Sequence, residues 1–397
     1  MREPSAPPSW RDNEGVAALR RLSEALERVA ALVEERGLLD ATQSGTGSAD
    51  LPLQNLPSHV VFARVWEQRR SAYLARRLQR TCPICRAPPG PAWFDTQDGY
   101  RYVRCHVCEM VYVPEFLPLD IWDEYFGGLP ESAEHLRRQL ESTVTDDAVV
   151  RDRARFGRYL AALKKQGAKL SGARLLDIGS FTGASLRVAA EHGMIASGVE
   201  GLAEAVRFSR ERFPGIRLEH ATAEQIGPGE HSAPFDLFDV VTLWETLEHT
   251  VDPLRALSQA ASLMKPGAWL AVTVPNARNV QFSVLRELCF FAYGGYNGIG
   301  HINMFSPDSL RRAVDAAGFT IRHLSTEFGS DWRQLLYYLQ QRFDRIQCYR
   351  QLITHGAVND APGPELAVLL NWLSPALTAI ENAAAAGPIL FVLAQKT

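Results

Sequence analysis

The sequence predicts an α/β protein: a doubly wound, mainly parallel sheet covered by helices on both faces, preceded by a small four-cysteine module and helical segments. Three observations carry this reading. From residue 171 onward, apolar runs of β type (ARLLDIG, MIASGVE, FDVVTLW, WLAVTVP) alternate with helical stretches, and strands separated by helices return parallel to one another. The first run passes through an acid into a glycine-containing loop, LLDIGSFTGASL at 175–186, the pattern of a strand turning over a ligand into a helix. Upstream, CPIC at 82–85 and CHVC at 105–108 are separated by nineteen residues.

Bulk composition sets the frame. The chain has 397 residues, 46% of them apolar, with 42 basic against 45 acidic side chains. That suffices for two or three globular units and excludes a chain dominated by disorder, a basic arm or an acidic tail. The start, MREPSAPPSWRDNEG, has no apolar stretch of a secretory or transit signal, so a cytoplasmic location is the default expectation. The longest apolar run, AAAAGPILFVLA at 383–394, is broken by Gly387-Pro388 and falls short of the ~20 residues of a spanning helix. It reads as a helix end, a turn and a buried strand, and no membrane partner is expected.

In chain order, residues 15–39 place Leu19, Leu22, Leu26, Val29, Leu32 and Val33 at three- and four-residue spacing. This predicts an amphipathic helix whose stripe packs on the chain itself or on a second copy, as a homodimer. The small, polar, proline-punctuated stretch 41–58 reads as a linker. A second helix is expected over 59–80, rich in arginine, then the cysteine module to 116 and helical connectors to 170. The resulting division is 1–58, 59–116, 117–170, 171–330 and 331–397, the last holding helices and a final strand near 388–395.

Two C-x-x-C knuckles each place a pair of thiolates on a tight turn. A hairpin between them, marked by Asp98-Gly99 and by Tyr100, Tyr102 and Val103, would bring Cys82, Cys85, Cys105 and Cys108 together as a closed structural zinc site. His106 is a competing ligand or a surface residue. Cys289 and Cys348 are isolated and read as packed thiols. Residues 61–108 hold nine arginines and three acids, a local balance of +6, which raises nucleic acid as a partner. Against it stands a chain with 37 arginines and five lysines, whose surface helices are arginine-rich by default.

In the loop at 175–186, Asp177 closes the strand, Gly179 lets the backbone approach a ligand and Gly183 opens the helix. Glu200, twenty-three residues beyond Asp177, closes the next strand, where a ribose-binding acid belongs. These features, with ATAEQI at 221–226, FDVVTLWETLEHTVDP at 238–253 and KPGAWLAVTVPN at 265–276, resemble the class I S-adenosylmethionine-dependent methyltransferases. The resemblance covers about 171–325 and implies a Rossmann-like sheet of seven strands. It further implies that Asp177, Gly179 and Gly183 hold the methionine end of the cofactor and Glu200 the ribose, with Ser180 and Phe181 also among the cofactor-binding residues. Thr222, Ala223 and Glu224 would border the adenine, and Trp244 would lie against the cofactor. Phe181 stands where the family commonly has a glycine. A nicotinamide-dependent dehydrogenase is the competing reading of such a loop, disfavoured by the missing third glycine of G-x-G-x-x-G.

Glu245, Glu248 and His249 follow the fourth strand, and if a helix begins there all three can face one side. With His301 they resemble the metal site of ubiquinone-pathway and small-RNA O-methyltransferases, which implies Mg or another divalent ion that activates a hydroxyl. In other relatives such a histidine is a general base, shapes the pocket or is structural. The aromatic, glycine-containing stretch 287–301 reads as a substrate lid or as a loop packed on the sheet edge. The expectation is a methyltransferase acting on a small molecule, a sugar or a natural-product intermediate, with catalysis by His249, His301 and Glu245. Sugar C-methyltransferases carry similar zinc modules. The alternatives are an RNA-modifying enzyme and a non-catalytic zinc scaffold that binds the cofactor.

Overall fold

The computed structural model describes residues 58–96, 99–226, 237–279, 299–329 and 364–397. The N-terminal helix and linker read at 15–57, most of the lid segment, Cys289 and Cys348 lie outside the described residues. Helix α1 (Ser58–Leu74) ends earlier than the helix expected to residue 80. Strand β1 (Leu78–Gln79) follows and pairs antiparallel with β5 (Glu115–Phe116). Pairing across the module, not local propensity, thus decides the backbone from 78 onward.

Between these strands lie β2 (Ala92–Asp95), β3 (Arg101–Arg104) and β4 (Val111–Tyr112). β2 and β3 form the expected antiparallel hairpin, with Asp95 opposite Arg101. Its end is fastened by Thr96, whose hydroxyl accepts from the Tyr100 amide at 3.0 Å. A connector follows: α2 (Leu119–Asp123), one π-helical turn over Glu124–Gly128, α3 (Pro130–Ser142) and α4 (Asp146–Lys165). In α4 Thr145 caps the start, acids fill the first turn and lysines the last, which opposes the helix dipole at both ends. Its Phe156, Tyr159, Leu160 and Leu163 are buried and lie three or four residues apart, one face of a helix.

The remaining elements alternate as expected: β6 (Arg174–Ile178), α5 (Ala184–Glu191), β7 (Ile195–Glu200), α6 (Ala203–Arg212), β8 (Leu218–His220), β9 (Phe238–Trp244), α7 (Pro253–Ser262) and β10 (Met264–Pro275). After the lid region come β11 (Asn303–Met304), α8 (Pro307–Ala316), β12 (Phe319–Glu327), α9 (Pro364–Ala383) and β13 (Ile389–Lys396). The seven-stranded sheet has the order β12-β13-β10-β9-β6-β7-β8. β13 runs antiparallel to both its neighbours, while β10, β9, β6, β7 and β8 pair in parallel. The order reverses between β6 and β9, so their carboxyl ends open the crevice where such sheets take ligands.

Two apolar layers enclose the sheet. On one face Trp244, Phe391 and Leu393 meet α4 and α5. On the other, Leu176, Val241, Leu270 and Val392 share a continuous core with α7, α8 and the module residues Cys82, Ile84, Met110 and Tyr112. The module is joined further by β11, which adds to its sheet in the order β11-β4-β3-β2. No described helix is long and apolar enough to cross a membrane.

Candidate functional site

The loop after β6 is built on Asp177, which is 1% exposed. Its carboxylate accepts from the hydroxyls of Ser185 and Thr242, the latter at 2.6 Å. Burial nonetheless pushes its pKa up to about 6, against the pull of those hydroxyls. Gly179 has φ +79° and Gly183 φ +72°, conformations that L side chains adopt at a cost. A Cβ on Gly179 would also run into the Thr246 side chain. Ser180 turns inward, donating to the Asp177 carbonyl at 2.7 Å.

Phe181 is also at positive φ, +49°. A phenylalanine held there carries strain that packing must offset, and the packing is visible: its ring joins Trp122, Phe126 and Phe208 around Leu136, Leu140, Leu202 and Ala205. The connector therefore roofs the loop, and Thr143 donates to the Thr182 hydroxyl at 3.0 Å. Glu200, at the end of β7, accepts from the amides of Phe181 and Leu202, both at 2.8 Å. This ties the two strand ends together, with burial holding its pKa above the usual range.

Ala223 is buried, Thr222 partly so, but Glu224 points away from an adenine role. Its carboxylate accepts from the Val251 amide at 2.8 Å and its carbonyl from Arg255, so it fastens the start of α7. Trp244 is likewise turned inward. Its ring stacks on Tyr159 at 4.8 Å between centroids and packs with Phe156 and Phe391, because the strand's alternation sends it into the α4 layer.

Beyond β9 the chain forms only a short 3-10 turn, Leu247–His249, not the start of a helix. Glu245 precedes it at φ +52° and its carboxylate pairs with Arg155 of α4 at 2.6 Å. It is thereby separated from the other three candidates. Glu248, His249 and His301 do come together, each offering a ligand atom within 4.8 Å of the others. The two imidazoles meet edge to face at 4.8 Å, and His249 Nδ1 lies 2.9 Å from the Gly300 carbonyl, so Nδ1 carries the proton and Nε2 is left as the unprotonated nitrogen. Surrounding protein holds the His249 pKa below the usual histidine range. His249 is itself exposed, which limits that effect.

Glu248 is 0% exposed, and neither carboxylate oxygen has a hydrogen-bond partner. Burial, with the nearby Glu245 charge, raises its pKa well above the ordinary carboxylate range. A carboxylate so placed either takes up a proton or faces a cation.

The four cysteines cluster, with Cys82 and Cys108 sulfurs 3.4 Å apart and Cys85 and Cys105 likewise. All four sulfurs lie within 4.8 Å of one another. The two knuckles share one backbone design. The residue after each second cysteine, Arg86 and Glu109, has φ +62° and donates its amide to the carbonyl of the first, at 3.0 Å in both. A hydrogen bond from Cys108 lowers the Cys82 pKa to about 5, and Cys108 is raised correspondingly. Four soft donors on matched turns fit a closed tetrahedral metal site. His106 is exposed and outside this cluster.

Sequence reasoning missed Arg155, Arg80, Tyr102 and Asn303. Arg155 gives no local signal among 37 arginines. Asn303, 0% exposed, bonds to both carbonyls flanking Glu248 and His249, those of Leu247 and Thr250, at 3.0 and 2.6 Å.

A family profile described as a methyltransferase domain matches residues 151–324. Among curated relatives, a ubiquinone biosynthesis O-methyltransferase of Thiobacillus denitrificans is 33% identical over 125 residues, 30% of this chain and 50% of that protein. Its counterpart in Aeromonas salmonicida is 28% identical over 163 residues, 39% of this chain and 66% of that one. The chain thus spans about half the length of the curated relatives it matches first. Among solved structures, magnesium protoporphyrin IX methyltransferase from Synechocystis PCC 6803 is similar with a TM-score of 0.42 and 13% identity, covering 70% of this chain and 100% of that one. The profile match, the curated relatives and the strand order agree: residues 151–324 are a methyltransferase domain of the class I, S-adenosylmethionine-dependent kind.

Proposed function

We propose that this protein transfers the methyl group of S-adenosylmethionine to a small-molecule acceptor, a sugar or another metabolite intermediate, at the cleft lined by Glu248, His249 and His301. The observation that carries the proposal is the Glu248 carboxylate, fully buried and without a donor, beside two histidines at the crevice of a methyltransferase sheet. The names of the curated relatives, which act in ubiquinone biosynthesis, support a small-molecule acceptor.

The chain's own residues would divide the work as follows. Gly179 and Gly183 let the loop backbone approach the methionine end, with Asp177 and Ser180 fixing the loop beneath it and Phe181 anchoring the roof. Glu200 is placed for the ribose hydroxyls, and Thr222 and Ala223 border the adenine. S-adenosylmethionine itself supplies an electrophilic methyl and its own leaving group, so the protein's task is alignment and removal of one proton. His249, with Nδ1–H committed to Gly300, presents Nε2 as the proton acceptor. In the alternative arrangement the same Nε2 would instead join Glu248 and His301 in holding a divalent ion, which would take over activation of the hydroxyl by lowering its pKa. Glu245, paired to Arg155, shapes the wall between the cleft and α4.

The domains divide as read above. Residues 59–116 form a module whose four cysteines hold a structural zinc, and 117–170 forms the roof. A nucleic-acid role for the module is the weaker reading, because seven of its nine arginines already have a carboxylate within 4.0 Å, among them Arg69 with Glu124, Arg76 with Asp120 and Arg86 with Asp252.

Calorimetry with S-adenosylhomocysteine tests the cofactor. Binding is expected, and absence of binding alongside tight binding of NAD would overturn the assignment. Methyl transfer from labelled S-adenosylmethionine to catechols, quinols, nucleotide-linked sugars and RNA, each with and without EDTA, then tests the acceptor class. Label incorporated into RNA alone would replace the small-molecule reading.

A further inference from the structure

The four-cysteine module does more than precede the methyltransferase domain. Three consecutive carbonyls, those of Gly300, His301 and Ile302, fix the course of the segment that carries His301. The first accepts from His249 Nδ1 at 2.9 Å. The second accepts from the hydroxyl of Tyr102, on β3 of the module, at 2.7 Å. The third accepts from the Val113 amide at 3.0 Å and from Arg80 Nη2 at 2.7 Å. The segment continues as β11, which pairs with β4 through Asn303 opposite Tyr112 and Met304 opposite Val111.

Arg80 extends this connection to the other histidine. Its guanidinium reaches Val113 O at 2.9 Å, Val251 O at 2.8 Å and, beside Ile302 O, the side-chain oxygen of Asn303 at 3.0 Å. Because Arg80 donates to that oxygen, the Asn303 amide nitrogen is compelled to face the other way, where it donates to Leu247 O and Thr250 O. The turn carrying Glu248 and His249 is thus suspended from Asn303, whose orientation Arg80 dictates. Arg80 lies two residues before Cys82, and its ring-face contacts are Tyr112 and Phe116, both at 5.5 Å. A planar fork with five donors suits four oxygen acceptors in different directions; a lysine could serve only some of them.

We infer that Arg80, Tyr102 and Asn303 are positioning residues for the His249–His301 pair, and that the cysteine module is a structural wall of the methyl-transfer site. The inference rests on the proposed role of that pair in methyl transfer. It assigns the module a function inside the enzyme, holding the two histidines in register, in place of recruitment of a separate partner.

The test uses the full-length, metal-loaded protein with 13C-labelled histidine rings, the His249 and His301 signals being assigned by His249→Gln and His301→Gln. Tyr102→Phe, which removes one hydroxyl, is expected to move the His301 signal by more than its linewidth. Arg80→Lys is expected to move both signals. Arg278→Ala, which cuts a different link from the module (Arg278 to Glu109, 3.0 Å) without touching this network, is expected to move neither. The inference is overturned if both signals stay in place in Tyr102→Phe and in a folded Arg80→Lys, or if Arg278→Ala displaces them equally. Should Arg80→Lys fail to fold, Tyr102→Phe decides alone. Calorimetry with S-adenosylhomocysteine on the same samples keeps the two readings apart. Loss of binding in the wild type defeats the proposed function, whereas unchanged binding with unmoved histidine signals defeats only the positioning role.

Discussion

Asn303 and Glu248 are both 0% exposed, and Asn303 holds the turn on which Glu248 sits, yet one is fully partnered and the other is bare. Asn303 accepts from Arg80 and donates to two carbonyls, so its entire amide is used. Glu248 offers two carboxylate oxygens, neither of them hydrogen-bonded. The contrast extends to the regions around them. On the module side, Arg80, Tyr102 and Asn303 are met by neighbours from other elements, as a scaffold requires, because each unmet buried group would cost about 1–3 kcal/mol; the Tyr112 hydroxyl is an exception there. On the cleft side that cost is left standing, and unmet polarity at the end of a parallel sheet is the mark of a place built for chemistry.

The contrast breaks most visibly at the cysteines. Cys105→Ser removes one of four clustered donors, and with it the cross-link that lets a short hairpin and a two-residue strand hold shape. Metal binding in small modules of this type supplies much of their folding energy, on the order of 10 kcal/mol. The variant is expected to lose its metal, and with it cooperative melting of the whole chain, since the module shares a core with the sheet. Metal analysis with calorimetric melting checks this, and an unchanged melting curve in metal-free protein would show that the scaffold stands without its cross-link.

Glu248→Gln attacks the other side. Turnover is expected to fall by about 100-fold or more, the usual scale for losing a group that handles a proton or an ion. Stability should move in the opposite direction. The folded pKa of Glu248 lies above its unfolded value, so the wild type is unpenalised below the unfolded pKa and loses stability as pH rises from there through the folded pKa. Metal-free Glu248→Gln should therefore melt above metal-free wild type at neutral pH, with the gap closing near pH 4. A variant that is both inactive and less stable at neutral pH would mean that Glu248 is an ordinary structural carboxyl. Asn303→Ala tests the partnered member directly. It takes the side-chain donor from the Thr250 carbonyl, removes one of several donors from the Leu247 carbonyl and strips part of a guanidinium of its acceptor, and an unfolding free energy lower by about 2–4 kcal/mol is expected from denaturant titration.

These residues also mark where the sequence can be read and where it cannot. The strands, the cofactor loop and the paired knuckles show in the chain because their signals are local: period, glycine placement, C-x-x-C spacing. The E-x-x-E-H spacing likewise marks out Glu248 and His249. It does not reveal that Glu245 turns away, since that depends on a positive φ and on Arg155, 90 residues earlier. Tyr102 and Arg80 reach their targets across 199 and 222 residues, and nothing in their own neighbourhoods distinguishes them from other tyrosines and arginines. Trp244 and Glu224 sit in the expected motifs, but one is turned into the core by strand alternation and the other is claimed by backbone amides at the start of α7.

Phe181 lies between these two regimes, a bulky residue at positive φ in a glycine-containing loop, and its replacement gives the smallest expected effect. Phe181→Gly would relieve the strain of φ +49°, about 1 kcal/mol. It would also remove a ring packed on Trp122, Phe126 and Phe208, a loss of about 2–3 kcal/mol. The net should be a destabilisation of about 1–2 kcal/mol in chemical denaturation. If the ring's purpose is to seat the connector over the cofactor, S-adenosylhomocysteine should leave the variant several-fold faster in stopped-flow displacement, since the roof is loosened while the loop backbone is kept. An unchanged release rate with the same loss of stability would place Phe181 with Asn303 among the residues of the scaffold, and would leave the roof of the cleft to Thr143 and Thr182.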